Sequence, residues 1–331
     1  MNLDHIIAKE RVRWRRAFFI FTSLLTTISA FYLALGELTI FPFWELSEIE
    51  QQLLLQLRMP RLISAITIGA SLAVAGAVLQ TLLANPLAEP GIIGISGGAS
   101  LGMVVVLFGL PWLASPLGFM VGAFLGALAF TLLLVFVATR LKLNTSRLLL
   151  VGVALGILSS AVVTWAFYFS DDMSLRQLLY WLMGNLAGNQ WYQLSIVGLV
   201  VPILLWVVTQ ASNLDKLMLG ESHAKQLGVD ILKLRWVMIV CAALLVGSSV
   251  ALGGVIGFIG LVVPHLIRLW FGYDHRYLLP LSAMAGASLV VFADLIARLA
   301  LSSGELPVGV VTTTIGAPIF IWMLVKNHDY R

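Results

Sequence analysis

Few residues in this chain are able to do chemistry. Gly94-Ile95-Ser96-Gly97 sets a serine in the GxSG arrangement of an intramembrane nucleophile, and His265 lies on a later apolar segment as a conceivable base. Such a serine acts only with a base within hydrogen-bond reach, which spacing along a chain does not establish. Asp294 stands four residues before Arg298, a spacing at which two helical side chains can form an ion pair. Carboxylates and histidines inside membrane spans mark proton or ion relays, and apart from Asp294 and His265 the apolar segments hold almost none. A relay-driven carrier is therefore poorly supported, while ion coupling through backbone carbonyls stays open. The chain has no Gly-Lys dipeptide, hence no Walker A loop, and no HExxH. Energy from ATP, if used, must come through another chain. Its one cysteine, Cys241, excludes an intrachain disulfide and a Cys-based zinc site. No catalytic residue, metal ion or cofactor is expected.

The elements that must hold these residues are apolar almost throughout. Of 331 residues, 60% are hydrophobic and 11% charged, and the mean hydropathy is +0.98. Soluble domains carry about 25% charged residues, so a disordered chain, a nucleic-acid module and an ordinary cytosolic enzyme are excluded. The expected fold is an all-α integral membrane protein with about ten transmembrane helices, forming one domain over 1–331. Spans of roughly 20 apolar residues fall near 17–35, 62–83, 91–108, 116–137, 148–169, 191–208, 236–253, 256–271, 278–297 and 308–325. The run at 17–35 lacks a small-residue cleavage site and reads as a retained helix.

With residues 1–16 as a cytoplasmic tail, sixteen of the 20 Lys and Arg fall inside. Arg58, Arg61, Arg176 and Arg298 fall outside. That asymmetry satisfies the positive-inside rule with both termini cytoplasmic. Small residues recur at packing intervals (Ala65, Gly69, Ala73, Ala77; Gly118, Gly122, Gly126), which lets helix backbones approach closely. A weak internal repeat relates Gly69–Gly76 to Gly247–Gly254. Their placement five spans apart makes it an inverted repeat, a frequent feature of transporters.

The polar segments between spans are the unusual ones. Asn85-Pro86-Leu87-Ala88-Glu89-Pro90 joins the second and third spans through a proline-stiffened turn. That turn leaves Asn85 and Glu89 unexplained so near to lipid. Residues 209–235 form the longest cytoplasmic loop, with Leu217–Leu227 patterned as one short amphipathic helix. It is either a solvated surface helix or a docking element for a cytoplasmic partner. Residues 171–190 carry the apolar-aromatic run Leu178–Met183, expected as an interfacial helix outside.

Three blocks, in order along the chain, resemble one family. They are Arg58-Met59-Pro60-Arg61 through Asn85-Pro86-Leu87-Ala88 to Gly97-Gly98-Ala99; Gly257–His265 with Arg268 and Asp274-His275-Arg276; and Glu305–Thr312 with Ile315-Gly316-Ala317-Pro318. They are similar to the permeases of type II ABC importers for iron chelates and vitamin B12. Thr145–Leu150, Gly152–Ile157, Leu219-Gly220-Glu221, Gln226-Leu227-Gly228 and Phe320-Ile321-Trp322 are similar to the vitamin B12 branch. Gly97-Gly98 departs from the Asn-Gly expected there, which bears on packing.

The resemblance implies a non-enzymatic permease in a bacterial inner membrane, importing cobalamin from periplasm to cytoplasm. It implies a homodimer with the cargo path along its axis, two cytoplasmic ATPase subunits and a periplasmic binding protein. Asn85, Leu87, Thr145 and Ser146 match the family's cytoplasmic gates. Gly220, Glu221, Ala224, Gln226, Leu227 and Gly228 match the ATPase-coupling helices. Arg58, Arg61 and Arg298 match arginines that pair with acidic residues of the binding protein, though lipid headgroup anchoring or pairing with Asp294 also accounts for them. Ser159, Ser160 and Thr164 match a path-lining helix, with ordinary packing as the rival. The alternatives are a ferric siderophore or haem permease and a rhomboid-like intramembrane serine protease.

Overall fold

The computed structural model describes residues 3–36, 38–41, 45–141, 143, 145–301 and 304–328. These are helical, with no strand among the described residues. The first half holds α1 (Leu3–Ala34), α2 (Glu48–Gln52), α3 (Met59–Leu82), α4 (Ile95–Val104), α5 (Pro116–Arg140), α6 (Thr145–Phe169) and α7 (Asp172–Leu182). The second holds α8 (Val197–Thr209), α9 (Ala211–Met218), α10 (Glu221–Gln226), α11 (Ile231–Gly253), α12 (Ile259–Phe271), α13 (His275–Leu299) and α14 (Val308–His328). Among the described residues seven segments are long and apolar enough to cross a membrane, and three shorter apolar helices accompany them, at Ile95–Gly109, Ile259–Phe271 and Val308–Met323. The protein is a multi-pass membrane protein.

The core forms around α3. Along its apolar length 89% of residues are buried, against 17% for α1 and 28% for α5, so α3 is enclosed by protein while α1 and α5 face outward. It packs against α11, α12 and α13. The small residues of its sequence make this possible: a methyl on Gly69 would strike the backbone of Gly286 in α13, and one on Gly76 would strike that of Gly260 in α12. Apolar side chains gain nothing by leaving lipid, so close backbone approach supplies the packing energy instead. The second ladder works likewise, with Gly122 and Gly126 of α5 against Gly102 and Gly98 of α4. The two repeat copies sit on α3 and α11, neighbours in the core, with Gly253 against Ile68.

Two expectations are corrected. The stretch Leu217–Leu227 is not one helix: α9 ends at Met218, and Gly220 at φ +101° interrupts the helix before α10. Only glycine adopts that backbone readily. Asp294 does not pair with Arg298. Arg61 of α3 reaches it first with two nitrogens, at 2.8 and 2.7 Å, a bidentate geometry the i,i+4 pair cannot match.

Candidate functional site

Four regions hold the residues of interest. The first follows the last turn of α3. Asn85 N–H donates to the Gln80 carbonyl, and the Asn85 side-chain oxygen accepts from Leu87 N–H at 2.9 Å. That Asx turn is what aspartate and asparagine do in tight loops. It thrusts Leu87 outward, 40% exposed. Asn85 thus shapes the loop and Leu87 is its projecting tip. The sequence left Glu89 unexplained; its carboxylate accepts from Phe258 N–H at 2.9 Å, just ahead of α12. Burial raises the Glu89 carboxyl above the ordinary carboxylate range, and the Phe258 N–H works against that rise. Thr145 and Ser146 begin α6, but their side chains lie outside the described residues.

The second region is a cavity of about 560 Å³ between α4 and α6, lined by Glu89, Ser96, Ser100, Gly156 and Ser160 among others. Ser160 and Thr164, one turn apart, lie on an exposed face of α6. Ser159 does not: it is fully buried and faces Gly97, since a helix turns about 100° per residue. Ser96 and Ser100 line the cavity beside Ser160, a pair of hydroxyls one turn apart on a Gly-rich helix that the sequence reading did not single out as a pair. No hydrogen bond joins Ser96 to His265, whose Nδ1 has no partner, so the nucleophile–base pair of a protease is not formed. Among the described residues no group of three or more His, Cys, Asp or Glu could hold a metal ion.

The third region is a cavity of about 510 Å³ where Arg58, Arg61, Arg298 and Glu305 converge. The end of α1 explains two of them. A helix leaves its last carbonyls without partners. Arg58 donates to the carbonyls of Leu33, Ala34 and Leu38, and Arg298 to those of Tyr32 and Leu35. Arg298 also lies over the Tyr32 ring at 4.7 Å. Carbonyls accept hydrogen bonds without cancelling charge. Arg61 contacts the carboxylates of both Asp294 and Glu305. Three guanidiniums against two carboxylates leave the cavity positive.

The fourth region is α10. Gly228 at φ +81° closes it, with Gly228 N–H on the Lys225 carbonyl and Val229 N–H on that of Ala224. This is a Schellman cap, and its usual apolar contact is formed by the buried Ala224 and Val229. Glu221 pairs with Arg235 at 2.6 Å and is half exposed. Met218, Leu219 and Leu227 stand exposed around α10, a small apolar edge on a loop otherwise charged. Asp274 caps α13, its side chain accepting from Arg276 N–H. Burial alone would raise its carboxyl, but the hydrogen bonds from Arg276 outweigh that and hold it below the ordinary range.

A helical membrane protein with a hydroxyl-lined cavity, a projecting loop and a capped loop helix has the parts of a transport protein. The chain belongs to the FecCD transport family, which it matches over residues 17–326. It is 62% identical over 329 residues to the vitamin B12 import system permease protein BtuC of Vibrio cholerae serotype O1, covering 99% of each chain. It is 60% identical over 331 residues to the protein of that name from Vibrio parahaemolyticus serotype O3:K6, covering 100% of each. A chain of a metal-chelate type ABC transporter, solved in an inward-facing conformation, superposes with TM-score 0.87 at 32% identity, over 94% of this chain and 99% of that one.

Proposed function

We propose that this chain is the permease subunit of an ATP-driven importer that carries vitamin B12 from periplasm to cytoplasm across a bacterial inner membrane. The observation that carries the reading is identity of 62% and 60%, end to end, with relatives named as vitamin B12 import permeases. The three shorter apolar helices join the seven long ones as ten spans, arranged as an inverted repeat with both termini cytoplasmic. Hydroxyls of α4 and α6 line an open cavity, and a bilayer against it would leave polar groups facing hydrocarbon. A second copy placed over that face closes it, which supports a homodimer with the path between the copies. Leu87 and Asn85, with Thr145 and Ser146, form the cytoplasmic gate. The residual positive charge of the arginine cavity supports docking of an acidic surface of a periplasmic binding protein. Chemistry on ATP belongs to separate subunits seated on α10, and closure of the ATPase pair shifts the gate because those subunits favour one state of the permease over the other.

The test is ATP-dependent uptake of labelled cobalamin by the permease reconstituted with its ATPase and binding protein, with a ferric siderophore as competitor. Uptake that needs ATP and ignores the siderophore is the expected result. Siderophore uptake without cobalamin uptake moves the cargo to the metal-chelate branch.

Glu221 gives a separate check on docking. Surface ion pairs contribute about 0–1 kcal/mol, so Glu221→Ala leaves folded stability within about 1 kcal/mol. Recovery of the ATPase with the permease is expected to fall about tenfold, a change of roughly 1.4 kcal/mol in binding. Full recovery on affinity purification removes Glu221 from the docking surface.

A further inference from the structure

One buried polar chain is used by none of the regions above. His275, the first residue of α13, has no exposed surface. Its backbone N–H donates to the Asp215 carboxylate of α9 at 3.0 Å, and its Nδ1 lies 2.6 Å from the same oxygen. Its Nε2 lies 2.7 Å from the hydroxyl of Thr81, in the last turn of α3. Thr81 in turn accepts from Arg268 of α12 at 3.3 Å. Arg268 also donates to the Ala77 carbonyl and to the side-chain oxygen of Gln80, and Gln80 Nε2 donates to the carbonyls of Gly260 and Leu261. Side chains of α9, α13, α3 and α12 are thus joined in one hydrogen-bonded chain.

Both ends of this chain have a place in transport. Asp215 stands on α9, separated from α10 by Leu219 and Gly220. The carbonyls of Thr81 and Gln80 hold the first residues of the loop that bears Leu87, accepting from Ala84 N–H at 3.2 Å and Asn85 N–H at 3.0 Å. The order hydroxyl, imidazole, carboxylate is also that of a nucleophilic triad. Thr81, however, donates its proton to Ala77 of its own helix and is only 8% exposed, so no substrate is served. Buried polar networks must be satisfied throughout to be tolerated, and apolar side chains would fill the space at less risk. Hydrogen bonds weaken steeply once stretched by a fraction of an ångström, so α9 cannot shift without breaking this chain or drawing the end of α3 with it.

We infer that Asp215, His275 and Thr81 are positioning residues that transmit displacement of the α9–α10 loop to the gate loop. This rests on the proposal that ATPase subunits dock on α10. The test uses the full permease reconstituted with ATPase and binding protein, and reads cobalamin moved per ATP hydrolysed. Asp215→Ala and Thr81→Val are expected to co-purify with the ATPase and hydrolyse ATP, while cargo per ATP falls about tenfold, within the usual range of coupling free energies. Asp215→Asn keeps an oxygen to accept both His275 contacts and is expected to hold at least half the wild-type ratio. A merely structural role would lower yield and leave that ratio alone. Thr81→Val, isosteric and remote from the docking loop, decides the matter if Asp215→Ala does not fold. A wild-type ratio in assembled Thr81→Val overturns the inference. Loss of ATPase recovery in the wild type instead overturns the docking proposal, and a metal-chelate cargo is substituted in the ratio if cobalamin is not taken up.

Discussion

Replacing Asp294 by alanine is expected to remove most of the folded protein. The carboxylate has no exposed surface and accepts from Arg61 Nε, Arg61 Nη2 and the Tyr32 hydroxyl, so it joins α1, α3 and α13 at one point. Its loss leaves a buried guanidinium with Glu305 as its remaining carboxylate, itself 40% exposed. Breaking one side of a buried pair costs about 3–5 kcal/mol, whereas replacing both sides by apolar groups is often neutral. The combination Arg61→Met, Asp294→Leu and Tyr32→Phe should therefore recover much of the folded fraction that Asp294→Ala loses. Thermal unfolding of detergent-purified protein reads both. An unchanged midpoint in Asp294→Ala would show that the charge is relieved by water, and the account of this junction would be wrong.

Gly76→Val should be as damaging, for a steric reason. Atoms placed on Gly76 collide with the backbone of Gly260, and backbone cannot move aside as a side chain does. Overpacking usually costs about 1–3 kcal/mol where side chains can adjust, and here α12 must separate from α3, losing the Gln80 bonds to Gly260 and Leu261. Gly198→Ala is the control: nothing lies within 4 Å of a methyl there, and the change removes backbone freedom from a helix. Monodisperse yield after extraction should collapse for Gly76→Val and stay at or above wild type for Gly198→Ala. Equal yields would mean that α3 and α12 have room to part.

Much of this was legible in the sequence, in a patterned way. Apolar length placed the helices, because a membrane demands long runs and little else does. Charge counting singled out Arg58, Arg61 and Arg298, together with Arg176, because few cations fall on the expected outer side of such a chain. It did not reveal their partners. The Asp294–Arg298 spacing was visible, but the stronger bidentate partner came from a helix 233 residues away. Two of the arginines meet carbonyls, which every residue has and no pattern marks. Within 209–235 the amphipathic period ran through Gly220, since a periodicity does not register a single left-handed residue. Ser159 and Ser160 are adjacent in sequence but face different neighbours, and only the position of α4 separates them.

The capping of α1 by Arg58 and Arg298 has a consequence for how the protein is made. Tyr32 and Arg298 are 266 residues apart, and ribosomes add roughly 5–20 residues per second. The C-terminal end of α1 therefore waits on the order of tens of seconds for its last hydrogen-bond donor. Through that interval its terminal carbonyls depend on water or headgroups, or on Arg58, which is made much sooner. A helix made early in this chain is thus among the last to be completed.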